Sequence, residues 1–201
     1  MNPLIKSLEF EQNIILDSIE KLYLPNGFDV DLTYGNGSFY KNRKQPSVKL
    51  DLQPLFPDVI QANSTQLPLK DNSFNSIMFD PPFLTYVKSA REHTSKSGKK
   101  SIMASRFGGY WKYSELVDHY FRTIQESFRI LKPKGFLVIK CQDIIHNHSF
   151  HCTHQLVMNY ANLIGFNSVD LFVLGAKHRI NIKKTQKHSR IFHSYFLVFQ
   201  K

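Results

Sequence analysis

The chain is poor in the features that mark membrane, disulfide-stapled or nucleotide-hydrolysing proteins. Its 201 residues hold two cysteines, Cys141 and Cys152, too few for a disulfide framework, which points to a reducing, cytoplasmic setting. No apolar run approaches the ~20 residues of a membrane span, so no membrane partner is expected. The start, Met1-Asn2-Pro3-Leu4-Ile5-Lys6, lacks the organisation of a secretory signal. There is no Gly-x-x-x-x-Gly-Lys-Ser/Thr loop and no complete Gly-x-Gly-x-x-Gly fingerprint, which argues against ATP and dinucleotides. No Ser-His-Asp order, paired glycosidase acids or kinase motif stands out. Repeats and linkers are missing too, and a single domain over residues 1–201 is expected.

Acids are also scarce: 16 Asp and Glu against 26 Lys and Arg give a formal charge of +10. The excess is local. The segment 84–112 holds Lys88, Arg91, Lys96, Lys99, Lys100, Arg106 and Lys112 against Glu92 alone, and 177–191 holds Lys177, Arg179, Lys183, Lys184, Lys187 and Arg190 with no acid. Each carries +6, leaving −2 for the rest. Such runs are often only solvated surface. Two of them, one directly after the motif described next, suggest a phosphate-binding footprint.

Phe74 to Phe79 reads as a buried strand that stops at Asp80-Pro81-Pro82-Phe83. Proline donates no N–H and pushes the residue before it into an extended conformation. The result is a stiff finger presenting a carboxylate, free carbonyls and an aromatic ring, which suits a planar group bearing an amine. An ordinary turn after a strand would draw on the same residue types.

Helical spacing is expected over Phe10–Tyr23, Tyr113–Leu131 and Cys152–Leu163. Strands are expected at 28–32, 47–52, 59–63, 136–140, 169–174 and 195–200, besides the one ending at Asp80. Strands alternating with helices imply a mostly parallel sheet covered on both faces, with ligands beyond the C-terminal strand ends. The Ser/Gly/Lys-rich part of 84–112 reads as a mobile basic loop.

The first such strand end is Asp31-Leu32-Thr33-Tyr34-Gly35-Asn36-Gly37, where glycines allow positive φ and close approach of a ligand. Gly-x-Gly alone is often a simple turn. Asp51, at the end of the next strand, adds an acid able to grip ribose hydroxyls. A nucleoside cofactor without a pyrophosphate, such as S-adenosyl-L-methionine, fits this pair best.

These motifs together resemble the class I S-adenosylmethionine-dependent DNA amino-methyltransferases, adenine-specific type, over nearly the whole chain. Thr33 to Gly37 resembles their first cofactor motif, with Tyr34 where Phe is commoner. Asp51 matches the ribose-binding acid. Asn63-Ser64-Thr65-Gln66-Leu67-Pro68 resembles the adenine-contacting segment, with Asn63 in place of Asp. Asp80 to Phe83 matches the catalytic Asp-Pro-Pro-Tyr/Phe motif. Leu131 to Lys140 resembles the approach to the fifth strand, Ile139-Lys140-Cys141-Gln142-Asp143 resembles a variant in small, often phage-borne, methylases, and His188 to Phe199 resembles their final hairpin.

The resemblance implies a Rossmann-like α/β fold with a mostly parallel seven-stranded sheet, a C-terminal antiparallel hairpin and helices on both faces. It implies S-adenosyl-L-methionine held by Asp31, Thr33, Tyr34, Gly35, Gly37, Asp51, Asn63 and Asp80. Asp80 and the Pro81 carbonyl would receive the amine of a flipped base, Pro82 would stiffen the finger, and Phe83 would stack on the base. DNA would lie against Lys88, Arg91, Lys99, Lys100, Arg106, Lys183, Lys184, Lys187 and Arg190. A chain of this length leaves no room for a separate target-recognition domain, so specificity would come from the basic segments, a protein partner or self-association. An RNA amino-methyltransferase and a non-catalytic nucleic-acid-binding protein of the same shape are the alternatives. Arg106 to Trp111 would fill the vacated base stack or form a turn with core aromatics. Cys141, His146, His148, His151, Cys152 and His154 are zinc-ligand types, but their spacing fits no familiar zinc finger and no metal is assigned.

Overall fold

Short apolar runs joined by amphipathic helices can bury both kinds of surface only by layering helices on a sheet. The computed structural model, which describes residues 4–83, 85, 112–177 and 186–201, has that form. Its elements are β1 (Leu8–Glu9), α1 (Gln12–Tyr23), β2 (Val30–Asp31), a 3-10 turn (Ser38–Tyr40), β3 (Val48–Asp51), β4 (Ile60–Gln61), β5 (Phe74–Phe79), α2 (Tyr113–Ile130), β6 (Leu131–Cys141), β7 (Ile144–His146), β8 (Ser149–His151), α3 (Thr153–Ile164), β9 (Asn167–Gly175) and β10 (His193–Gln200).

The main sheet runs β1-β9-β10-β6-β5-β2-β3-β4, with β10 antiparallel to both neighbours and the other pairs parallel. Successive strand residues face opposite layers. Ile15, Leu16 and Ile19 of α1 pack on one face with Met78, Val138, Phe196 and Val198. Leu116, Tyr120 and Ile124 of α2 and Val157 and Ala161 of α3 cover the other, with Ile77, Phe79, Leu137, Ile139, Leu197 and Phe199. Each fully buried Val, Leu, Ile, Phe or Met side chain among them contributes about 1.5–3 kcal/mol of burial. Covering on both faces is why β5, β6 and β10 read as continuous apolar runs.

Two features differ from expectation. The sheet has eight strands, not seven, because Leu8 and Glu9 add a parallel edge strand opposite Val173 and Leu174. Residues 144–151 form a hairpin that no apolar pattern announced, closed by Asn147 (φ +48°) and His148 (φ +60°), the left-handed pair of a tight two-residue connection. No helix among the described residues is long and apolar enough to cross a membrane.

The chain moves outward from β2 through β3 to β4 and then returns to β5 on the other side of β2. That reversal opens a crevice at the C-terminal ends of β2 and β5, where doubly wound sheets take their ligands.

Candidate active site

The two strand ends at the reversal are tied together. The Asp80 N–H donates to Thr33 Oγ1 at 2.8 Å, so the residue after β5 is held against the turn that follows β2. The carboxylate is 23% exposed and lies 3.5 Å, through Oδ2, from Lys140 Nζ. Oδ1 is out of reach of water and has no hydrogen-bond partner among the described residues, an arrangement that costs free energy unless a donor arrives. Burial raises the Asp80 pKa above the ordinary carboxylate value, and Lys140 opposes that rise. Pro81 is buried, and Pro82 and Phe83 are half-buried.

The glycine turn is built around two carboxylates. Asp31 accepts the Thr33 N–H at 2.8 Å and the Tyr40 hydroxyl at 2.7 Å. Burial pushes its pKa up to about 7, and the nearby Asp80 and Asp51 add to the rise. Asp51 accepts the Gly35 N–H at 2.8 Å on Oδ2 and the Gln53 N–H at 2.8 Å on Oδ1. A carboxylate has about four acceptor sites, so each oxygen can still receive a further donor. Gly35 and Gly37 have φ of +57° and +68°. The Tyr34 ring, stacked on Tyr40 at 5.7 Å, lies so close to Gly37 that a Cβ there would fall 2.6 Å from its hydroxyl. Asn63 is exposed, and its side-chain oxygen accepts the Thr65 N–H at 3.0 Å and hydroxyl at 2.9 Å.

The structure thus brings Asp31, Thr33, Tyr34, Gly35, Gly37, Asp51 and Asp80 to one crevice. Lys88, Arg91, Lys99, Lys100, Arg106, Lys183 and Lys184 lie outside the described residues, as do Arg106 to Trp111 and the expected loop 84–112 apart from Thr85 and Lys112. Lys187 is exposed and Arg190 half-buried, both leading into the start of β10.

Two residues with no assigned role also meet here. Lys140 follows the parallel pair Phe79↔Ile139, which sets it beside Asp80, and Gln12 holds its ammonium at 2.9 Å. A lone cation ending the apolar run of β6 was the available signal. Close by, His119 on α2 meets Ser64 Oγ at 2.6 Å and Phe79 edge-on. Burial pushes its pKa down to about 4, so it is neutral near pH 7. Nothing in its helical surroundings marked it in the sequence.

Of the zinc-ligand types, the structure gathers Cys152 and His154 with Asp143, their ligand atoms within 4.8 Å of one another. Asp143 accepts His154 Nδ1–H at 2.8 Å, the His154 backbone N–H at 3.2 Å and the Tyr195 hydroxyl at 3.0 Å. This buried acid thereby caps α3 and ties it to β10, a structural role that accounts for its burial. Cys141 is buried in β6, and His146 and His151 instead flank Tyr113. An open cavity of about 370 Å³ lies at the same sheet edge, bordered by Phe10, Gln12, Gln142, Lys177, Phe192 and His193.

No protein-family model and no curated protein matches the chain. Solved structures do. The cyclase SpnF superposes with a TM-score of 0.54 at 11% identity, over 94% of this chain and 81% of its own. A SAM-dependent methyltransferase from Thermotoga maritima gives 0.50 at 16%, over 92% and 87%. A Thermus thermophilus protein, provisionally named a DNA modification methylase and solved with S-adenosyl-L-methionine, gives 0.46 at 19%, over 69% and 53%. The chain spans about half the length of that protein. The fold is that of class I, Rossmann-like methyltransferases, with the short β1 added at one edge. A cyclase shares it, so the reaction has to be argued from the site.

Proposed function

We propose that the protein is an S-adenosylmethionine-dependent methyltransferase acting on the exocyclic amine of a base in DNA, adenine foremost. The observation that carries this reading is the Asp80 carboxylate at the strand reversal, with Oδ1 out of water and unpartnered among the described residues in an Asp-Pro-Pro-Phe sequence. An amine N–H is the donor that such an acceptor lacks.

The crevice residues fit the cofactor. Asp51 retains acceptor capacity for ribose hydroxyls, and Gly35 and Gly37 expose the backbone of the turn. Burial, with Asp80 and Asp51 nearby, makes the Asp31 charge costly, and a bound sulfonium cation would relieve that cost. When bound, S-adenosylmethionine supplies the electrophilic methyl. As the carboxylate turns about its Cβ–Cγ bond to free the shielded Oδ1, this oxygen would accept one amine N–H and the Pro81 carbonyl the other, which turns the nitrogen lone pair out of conjugation with the ring. The N–C bond would form as the cofactor's C–S bond breaks, and the extra proton on nitrogen would leave to solvent. The ionised Asp80 disperses the positive charge developing on that nitrogen. Phe83 stacks on the base, which has left the duplex so that its amine is accessible. Alignment and electrostatics suffice because the electrophile is already activated.

The test is transfer of labelled methyl to duplex DNA, single-stranded DNA and RNA, with cofactor affinity measured by calorimetry. Asp80→Ala should lose transfer by about 100-fold or more, as loss of an oriented charged acceptor implies, and keep most of its cofactor affinity, because ribose and adenine are held elsewhere. Asp51→Ala should lose affinity for the cofactor. Near-normal turnover by Asp80→Ala refutes this mechanism. Transfer to RNA alone moves the substrate class.

A further inference from the structure

Lys140 sits where no apolar strand needs a charge. It follows the run Phe136-Leu137-Val138-Ile139 of β6, next to β5 in parallel register, so it and Asp80 lie side by side beyond the last residues paired between β5 and β6. Its side chain is only 12% exposed. The ammonium lies 5.0 Å and 5.5 Å from the ring centroids of Phe39 and Phe196, donates to Gln12 Oε1 at 2.9 Å and lies 3.5 Å from Asp80 Oδ2. A cation between two aromatic faces and a fixed amide is held in place, and a partly desolvated charge keeps such a position only with a partner.

Resting on the function proposed above, we propose that Lys140, steadied by Gln12, is the positioning residue that anchors one Asp80 oxygen, so that the carboxylate stays ionised and turns its other oxygen to the amine. The asymmetry is the point of the arrangement. Lys140 engages Oδ2, and Oδ1, shielded from water, is left without a partner among the described residues, so a turn of the carboxylate about its Cβ–Cγ bond offers it to the amine. Beyond burial, the Asp80 charge adds to the raised pKa of the buried Asp31 of β2 and of the buried Cys141 thiol of β6. Lys140 is the one positive group acting on Asp80 among the described residues.

Lys140→Met, Lys140→Arg and Gln12→Ala should be compared with the natural protein. In Lys140→Met, kcat should fall about 10- to 100-fold, the scale of a lost charged hydrogen bond. Cofactor affinity and KM for DNA should change less than about threefold. Catalysis needs the ionised carboxylate, so the acid limb of the kcat profile should move to higher pH. Lys140→Arg should restore both the rate and the profile in part, and Gln12→Ala should fall between. A second measurement does not depend on turnover: NMR titration of the Asp80 carboxyl carbon should give a higher pKa in Lys140→Met than in the natural protein or Lys140→Arg. An unchanged titration in folded Lys140→Met overturns the proposal, as does a lowered rate with an unmoved pH profile. If the natural protein methylates no nucleic acid but the titration moves as stated, the substrate reading fails while the Lys140–Asp80 coupling stands.

Discussion

Asp31 is 2% exposed, and burial raises its pKa from the ordinary carboxylate value to about 7. The folded chain therefore holds a proton at Asp31 that the unfolded chain has released between about pH 4 and 7. The stability linked to this proton is fully present below the unfolded value and is lost as pH rises through the folded one. A shift of this size corresponds to about 4 kcal/mol. An asparagine side chain at this position can still accept the Thr33 N–H and donate to the Tyr40 oxygen, so Asp31→Asn should fold. In the cofactor-free protein, stability by urea denaturation should fall less steeply from pH 4 to 7 in Asp31→Asn than in the natural chain. Parallel pH profiles would mean that Asp31 is ionised across that range and that its charge is met by groups other than those described here. The same buried acid explains a tension in the turn: Thr33 and Tyr40 lower its pKa by hydrogen bonding while Asp51 and Asp80 raise it. A cationic ligand resolves the tension in favour of ionisation.

The turn after β2 offers a comparison at the scale of an element. Both glycines take positive φ, which costs a residue with a Cβ about 1–2 kcal/mol. Of the two, Gly37 alone also has its space taken, with a Cβ 2.6 Å from Tyr34 Oη, whereas at Gly35 the nearest atom is 3.9 Å away. Gly37→Ala should therefore destabilise the fold more than Gly35→Ala, and it should weaken cofactor binding by displacing the ring stacked on Tyr40. Equal losses in chemical denaturation would show that the Tyr34 ring moves aside without cost. The contrast also marks what a sequence reveals. The three helices and the strands β5, β6, β9 and β10 were legible because long apolar patterns of period 3.6, or continuous runs, leave few other assignments. The ends carrying Asp31, Asp51 and Asp80 were legible because Gly, Asp and Pro punctuate there. By contrast, β1 is two residues long and exists only through pairing with the distant β9, Leu8 opposite Val173. Lys140 and Gln12 are 128 residues apart, and an interaction of that span is set by strand order. Asp143 likewise looked like one more polar residue, because its three donors come from α3 and β10.

Across the whole molecule the question is which surface meets the substrate. The charge of +10 would aid attraction to any polyanion, so net charge alone cannot distinguish a docking face from a solvated one. Position can. Lys187 and Arg190 lead into β10 at the edge where Asp80 follows β5 and Lys140 lies near the end of β6, since β10 runs antiparallel to β6. Lys132 and Lys134 are exposed at the start of β6, the opposite edge. Reversing either pair to glutamate changes the net charge equally, by four. If DNA lies over the crevice, Lys187→Glu with Arg190→Glu should weaken binding. The same change should flatten the plot of log affinity against log salt by about 0.9 for each phosphate no longer neutralised. Lys132→Glu with Lys134→Glu should lower affinity only slightly and leave the slope near that of the natural protein. Adding Lys99→Glu and Lys100→Glu to the first pair should flatten the slope further, as the basic segment following Asp80-Pro81-Pro82-Phe83 suggests. Filter or anisotropy titrations from low to physiological salt measure both quantities. Equal slopes for the two double variants would mean that charge acts only at long range, and the DNA-facing role of the crevice edge would have to be abandoned.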